Sequence, residues 1–139
     1  MKGFGSTIVF CILVQIAFGK IPEWLPPDMM DMVQGDKNRC MSEHGTSQAV
    51  IDDASEGKFI EDRSLSCYMY CLFESFSLAD EDGNVDADLL SSLMPEHIQT
   101  AALDVFGACG NAAGSDPCDK FYKMAVCAYA KRPDIWFMI

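Results

Sequence analysis

Positive charge is scarce in this chain, which carries 10 Lys and Arg residues against 21 Asp and Glu residues. The net charge of −11 repels phosphate backbones, so nucleic acid is not expected as a partner. An anionic membrane surface repels the chain for the same reason. Half of the 139 residues are apolar and 22% are charged, which argues against disorder and is typical of one globular domain.

Long apolar runs are also missing. The longest run, from Ile8 to Phe18, has about 11 residues, whereas a membrane-spanning helix needs about 20, so no stable membrane insertion is expected. Lys2 precedes this run, and Ala17 and Gly19 place small residues at the −3 and −1 positions of a cleavage site. We therefore predict a secretory signal peptide over residues 1–19, and an exported, extracellular domain over residues 20–139.

Metal-binding spacings are absent from the cysteines and histidines. The chain has no CxxC pair, and His44 and His97 lie 53 residues apart, so no zinc site is expected. Cys11 belongs to the predicted signal. Six cysteines remain in an exported domain, which indicates three disulfides whose pairing the spacing alone leaves open. They are Cys40, Cys67, Cys71, Cys109, Cys118 and Cys127.

No segment shows the sustained alternation of apolar and polar residues that is typical of a β-strand. Apolar residues recur at helical spacing instead. The first predicted helix begins at Asp28, is interrupted at Gly35 and stops at Gly45, after which Thr46 or Ser47 can cap the second. Further helices are predicted over residues 65–78 and 86–93, from 95 to 109, and from 117 to a stop at 133, with Asp116 as the cap of the last. The predicted fold class is therefore all-α, with about six short helices.

The sequence contains no motif for calcium binding and none for catalysis. The turn at residues 80–84 resembles a calcium loop, but an EF-hand needs Gly and Glu where this chain has Val85 and Ser91. Ser, His and Asp residues form no recognisable catalytic arrangement, and neither histidine stands beside a cysteine pair as in secreted phospholipases. We therefore expect no enzyme activity and no metal.

The third predicted helix carries two stripes. Cys67 and Cys71 lie four residues apart and share one face, so sulfur can tie this helix to two different neighbours. Tyr68, Leu72 and Phe76 repeat at the same step on the adjacent face, which can border an apolar interior. Three crosslinks, at roughly 3–4 kcal/mol each, permit such a domain to keep its shape around an internal cavity.

The six cysteines from Cys40 to Cys127 are separated by 26, 3, 37, 8 and 8 residues (x26, x3, x37, x8 and x8). This spacing resembles that of the six-cysteine insect odorant-binding proteins, which include the pheromone-binding proteins. The x3 and x8 intervals are the specific part, and the likeness runs from the arm around Trp24 to the end of the chain. Residues 39–46, 67–72 and 133–137 look particularly like the antennal pheromone-binding proteins of bees and related Hymenoptera.

This resemblance implies the disulfides Cys40–Cys71, Cys67–Cys118 and Cys109–Cys127. It also implies a secreted carrier that takes small hydrophobic odorants or pheromones through the sensory lymph of antennae to olfactory receptors, often with release at lower pH. Such a carrier uses no cofactor and catalyses no reaction; a homodimer is compatible with it. The alternative is a secreted helical signalling or structural protein, which predicts a packed core and no small ligand.

A cavity for such a ligand needs apolar walls with few polar anchors. We expect residues 133–139 to fold back as part of the wall, the alternatives being an outer groove or a dimer interface. The predicted lining residues are Trp24, Met29, Met32, Val33, Tyr68, Leu72, Phe76, Leu78, Leu93, Val105, Phe106, Met124, Trp136, Phe137 and Ile139.

Two further expectations concern polar groups. The anchor for the ligand is left open among Tyr68, Tyr70, Ser75 and the backbone of residues 133–139. A paired Asp134 is expected to make the docking of this segment sensitive to pH, because a carboxylate loses its stabilising pair when it is protonated. His44 and His97 add charge at about pH 6 in this hypothesis.

Overall fold

The computed structural model describes residues 22–139 and contains six α-helices there. Within these residues no β-strand forms beyond an isolated antiparallel bridge between Ala79 and Val85, so the all-α prediction is confirmed. The predicted signal, its cleavage site and Cys11 lie outside the described residues. The helices are α1 Pro27–His44, α2 Gln48–Ser55, α3 Arg63–Ser75, α4 Ala87–Ser92, α5 Glu96–Cys109 and α6 Pro117–Lys131. None of these six is long and apolar enough to cross a membrane.

Short polar side chains begin four of the helices. Ser47, Asp62, Asp86 and Asp116 stand directly before α2, α3, α4 and α6, and each accepts a backbone N–H from the first turn. The first turn of a helix has no intrahelical partners for its N–H groups, so these bonds fix where each helix starts. Of the two candidates for the cap of α2, Ser47 is the one that caps it, and the cap predicted at Asp116 is confirmed.

The first helix is continuous, so the predicted interruption at Gly35 is wrong. Gly35 lies on the exposed side of α1, where a Cβ would meet no atom within 4 Å. A glycine inside a helix costs only about 1 kcal/mol relative to alanine, and α1 gains more than that by burying Val33 and Cys40. The predicted stop at Gly45 is confirmed, with φ of 71° and a bond from its N–H to the Met41 carbonyl.

The third helix ends at Ser75, three residues before the predicted end. Ser77 takes a φ of 57°, which turns the chain out of the helix. The N–H of Leu78 then donates to the Phe73 carbonyl at 2.9 Å, and this return brings the Leu78 side chain back among buried residues.

Three disulfides hold α3 between its neighbours. One joins α1 to α3, the second joins α3 to the start of α6, and the third joins the end of α5 to α6. They are Cys40–Cys71, Cys67–Cys118 and Cys109–Cys127, which confirms the pairing that the family resemblance implied. Phe121 of α6 packs against Tyr70 and Phe73 of α3, with 5.5 and 5.1 Å between ring centroids, on this side of the domain.

Candidate functional site

A cavity of about 200 Å³ borders α3 on its apolar face. Its wall takes residues from all helices except α2, from the N-terminal arm (residues 22–26) and from the C-terminal tail (residues 133–139). An apolar cavity of about 150 Å³ in another protein stays free of water and holds a benzene-sized molecule. The space is therefore sufficient for a small apolar ligand.

Thirteen of the fifteen residues predicted for the wall border this cavity. Helical periodicity, the apolar arm and tail, and the family resemblance together predicted these positions, and the fold gathers them around one space. Their contact with a ligand stays a prediction. They are Trp24, Met29, Met32, Val33, Leu72, Phe76, Leu78, Leu93, Phe106, Met124, Trp136, Phe137 and Ile139.

The structure places the other two, Tyr68 and Val105, behind the wall instead of in it. Tyr68 is 0% exposed, and its hydroxyl donates a hydrogen bond to a backbone oxygen of Ile139. Burial raises the pKa of Tyr68, so the hydroxyl keeps the proton that it donates. Val105 precedes the lining residue Phe106 on α5 and points into the packed core.

Ten lining residues were not predicted. On α5 and its approach, Met94, Ile98 and Ala102 precede Phe106 at intervals of four, a spacing that identifies one helical face. The prediction used one stripe of each helix, whereas a concave wall also reaches the neighbouring stripe. The remaining unpredicted residues are Leu25, Met30, Met69, Phe73, Leu90, Ile135 and Met138.

Methionine is the commonest residue of the wall. Its side chain is unbranched and polarizable, so it adapts to ligands of different shape. Met41 is the one methionine among residues 22–139 that does not border the cavity. Those that do are Met29, Met30, Met32, Met69, Met94, Met124 and Met138.

The three side chains predicted as polar anchors are all engaged elsewhere. Tyr68 holds the tail, as described above. The Tyr70 hydroxyl donates to the Asp80 carbonyl at 3.1 Å, and the Ser75 hydroxyl donates to the Cys71 carbonyl at 2.7 Å. None of the three borders the cavity, and the wall contains no charged side chain within residues 22–139.

The tail folds back onto the body, as predicted, and is fixed there by hydrogen bonds. The indole Nε1–H of Trp136 donates to the Ala54 carbonyl at 3.0 Å, and the backbone N–H of Met138 donates to Ser55 Oγ at 3.2 Å. The Trp136 ring also packs edge-on against Phe59, with 5.7 Å between ring centroids. The tail is therefore a fixed part of the cavity wall.

The arm is held by packing alone where it meets the cavity. The ring of Trp24 packs edge-on against Phe137, with 5.2 Å between centroids, and Leu25 is buried beside it. Trp24 Nε1 is fully buried, yet it has no hydrogen-bond acceptor among the residues that the structure describes. The wall thus contains one unpaired donor.

The rim of the cavity is marked by apolar side chains that are both exposed and part of the wall. Met32 on α1 is 75% exposed, and Leu93 at the end of α4 is 47% exposed. The wall of the cavity therefore reaches solvent at α1 and at the end of α4.

One cluster has the composition of a metal site. Glu43, His44 and Cys71 bring one possible ligand atom each to within 4.8 Å of one another. Cys71 is bonded to Cys40 and so offers no thiolate, which is the form that binds a metal. The cluster therefore gives no support to a metal site.

The fold and the cavity are those of a small-ligand binding protein, and the comparison with known families agrees. The chain belongs to the PBP/GOBP family, which matches residues 23–131. Among curated relatives, General odorant-binding protein 69a of Drosophila melanogaster is 29% identical over 105 residues, covering 75% of this chain and 71% of the relative.

Solved structures show the same fold. Odorant binding protein 5 of Apis mellifera superimposes with a TM-score of 0.71 at 21% identity, covering 83% of this chain and 98% of the other. Odorant Binding Protein 7 of Anopheles gambiae, solved in complex with an azo compound, gives a TM-score of 0.67 at 20% identity, covering 80% and 91%. At these identities the likeness extends to the fold alone, so the closer resemblance to hymenopteran pheromone-binding proteins stays a prediction.

Proposed function

We propose that this protein is a secreted carrier that binds small hydrophobic odorants or pheromones and takes them through sensory lymph to olfactory receptors. The observation that carries the proposal is the 200 Å³ apolar cavity bordered by arm, helices and tail. Membership of the PBP/GOBP family supports it, as does the azo compound bound by the mosquito protein of the same fold. The proposal includes the signal at residues 1–19, the exported domain at 20–139 and a location in antennal lymph.

A carrier of this kind needs moderate affinity. A ligand that buries about 300 Å² of apolar surface gains roughly 7 kcal/mol before the costs of association are subtracted. We therefore expect dissociation constants in the micromolar range. No catalysis is proposed, because the wall offers no charged or nucleophilic side chain within the described residues.

The alternative, a helical signalling or structural protein, requires a filled interior. The cavity and its seven methionines favour a ligand instead. One chain completes the wall that the structure describes, so a homodimer is compatible with the proposal but is not needed for binding. Encounter with an odorant receptor is the last step of the proposed route.

Release at lower pH is part of the proposal, and Asp134 is a titratable group of the tail. Arg132 donates two hydrogen bonds to its carboxylate, at 2.8 and 2.7 Å, and they lower the pKa of Asp134 below its usual 3.8. A carboxyl with a lowered pKa stabilises the folded state above its ordinary pKa, and this contribution is lost as pH falls through the lowered value. Release through this group is therefore expected below about pH 4. Neither His44 nor His97 takes part in the bonds that hold the tail.

The test is binding of a fluorescent apolar probe to the protein secreted by insect cells that express the full chain. Ala102 borders the cavity on α5, whereas Ala108 on the same helix is exposed. Ala102→Phe fills the cavity and should reduce probe affinity at least tenfold, about 1.4 kcal/mol. Ala108→Phe should leave the affinity unchanged.

Each outcome has a defined meaning. Saturable micromolar binding, lost in Ala102→Phe and competed by fatty acids, alcohols or esters, supports the carrier. Absence of binding by a correctly folded and disulfide-bonded monomer favours the packed bundle. N-terminal sequencing of the secreted protein checks the cleavage after Gly19, and sedimentation checks the homodimer.

A further inference from the structure

We propose that the ligand of this cavity is a neutral molecule with an acceptor oxygen, such as an ester, ketone or aldehyde, and that Trp24 Nε1 donates the hydrogen bond that orients it. This inference rests on the proposed carrier function and deepens it by naming the chemical class of ligand. The observations behind it are the hydrogen-bond donors of the cavity wall and their partners.

Only the two tryptophans bring side-chain hydrogen-bond donors to the wall, within residues 22–139. The indole N–H of Trp136 is already bonded to the Ala54 carbonyl at 3.0 Å. The indole N–H of Trp24 is buried and has no acceptor in the described part of the chain. Within residues 22–139, Trp24 is therefore the one wall side chain whose donor is not already used by the protein.

An unpaired buried donor calls for an explanation, because more than nine in ten buried polar groups in proteins are bonded. The one other buried side-chain atom without a partner in residues 22–139 is Thr46 Oγ1, which lies between α1 and α2 and borders no part of the cavity. An acceptor atom supplied by the ligand would remove the desolvation cost that Trp24 carries.

The acceptor reaches Trp24 Nε1 through a local movement, since this nitrogen is fully covered in the structure. The neighbouring wall is suited to such a movement. Met29 and Met30 follow the arm at the start of α1, and a methionine side chain changes rotamer at little cost. The Trp24 ring meets the tail through Phe137, a contact that fixes the ring plane without using the nitrogen.

The wall also disfavours an ionised ligand. A carboxylate in this cavity would be desolvated with one N–H for a partner and no cationic side chain in the described wall. The net charge of −11 repels an anion before it enters. A pure hydrocarbon avoids these costs but leaves the N–H of Trp24 unpaired. The expected order of affinity is ester or ketone first, hydrocarbon second and carboxylate last.

The experiment displaces a fluorescent apolar probe from the full secreted protein with three ligands of equal chain length: an alkane, a methyl ester and a carboxylate at pH 7.5. Trp24→Phe keeps an aromatic ring against Phe137 but removes the N–H. We expect ester affinity to fall about threefold to tenfold in this variant, while alkane affinity stays within twofold of the parent protein. Tyr70→Phe, which removes a donor that does not border the cavity, is the control, and the ester-to-alkane ratio should not change there.

A second readout locates the bond directly. The chain has two tryptophans, so the 15N-labelled protein gives two indole N–H resonances, which Trp24→Phe assigns. The ester should move the Trp24 resonance downfield, the alkane should not, and the Trp136 resonance should stay in place with both.

The outcomes separate this inference from the carrier function. Equal loss of ester and alkane affinity in Trp24→Phe, or no loss of either, overturns the proposed bond while binding itself stands. An indole resonance that responds to ester and alkane alike has the same meaning. A protein that binds no probe at all overturns the carrier function and this inference with it.

Discussion

The two ends of the described chain cover the same cavity but are held in different ways. Three hydrogen bonds attach the tail to distant segments of the chain, and Trp136, Met138 and Ile139 take part in them. The arm meets the tail through an aromatic contact of Trp24, whose N–H has no partner in residues 22–139. The tryptophan of the tail therefore stabilises the fold, whereas the N–H of the tryptophan in the arm remains available to bind a ligand.

The largest expected effect separates the two tryptophans by stability. Trp136→Ala removes a buried ring contact with Phe59 and the bond to Ala54, so we expect the free energy of unfolding to fall by about 3 kcal/mol. Trp24→Ala, which breaks no hydrogen bond within the described chain, should cost about 1–2 kcal/mol. Chemical denaturation with intact disulfides measures both, and equal losses would remove the distinction between the ends.

A smaller effect is expected at Gly57, which lies near the residues that pack against the tail. Gly57 has a φ of 83°, and a Cβ there would overlap the ring of Tyr129, which packs against Phe59. Gly57→Ala should therefore destabilise the protein by about 1–3 kcal/mol and loosen the tail.

Gly35 provides the matched control for this substitution. It lies inside a helix with open space around it, so Gly35→Ala should stabilise the protein by up to about 1 kcal/mol. Thermal unfolding of both variants gives the signs, and amide hydrogen exchange at residues 135–139 reports on the tail. A destabilised Gly57→Ala protein with unchanged exchange there would show that Gly57 does not support the tail.

The smallest expected effect concerns acid. Asp134→Asn removes the carboxylate whose pKa Arg132 lowers and resembles its protonated form. The variant should therefore already show at pH 7 the loss of probe affinity that protonation of Asp134 causes in the parent protein, and this loss is small because both groups are exposed. The parent protein should lose affinity as pH falls below about 4, and the variant should lose less over this interval. Probe titrations of both proteins at pH 7, 5 and 3.5 make the comparison. Identical profiles would assign the acid response to other groups.

Cysteine spacing and local signals were sufficient for most of the fold. The family resemblance implied the three disulfides, and Asp116 followed by Pro117 marked the start of α6. The continuity of α1 through Gly35 was not predicted, because local propensity favoured a break and packing against α3 outweighed it.

The site was less accessible to sequence reasoning. Periodicity places Tyr68 on the same stripe as Leu72, but it does not show that the Tyr68 hydroxyl is used by the tail. Periodicity also cannot distinguish Trp24 from Trp136. The two differ because the Ala54 carbonyl of α2 accepts a hydrogen bond from the indole of Trp136, whereas the indole of Trp24 has no acceptor in the described residues. Hydrogen-bond partners that come from distant segments depend on the tertiary arrangement.

The methionine residues of the cavity wall make the binding site sensitive to oxidation. Oxidation turns the methionine thioether into a polar sulfoxide, and it proceeds fastest where the sulfur is accessible. Met32 at the rim is 75% exposed, whereas Met69 and Met124 at the inner wall are almost fully covered. Oxidation would therefore proceed from the exposed rim toward the inner wall, and the cavity would become more polar before the fold was lost.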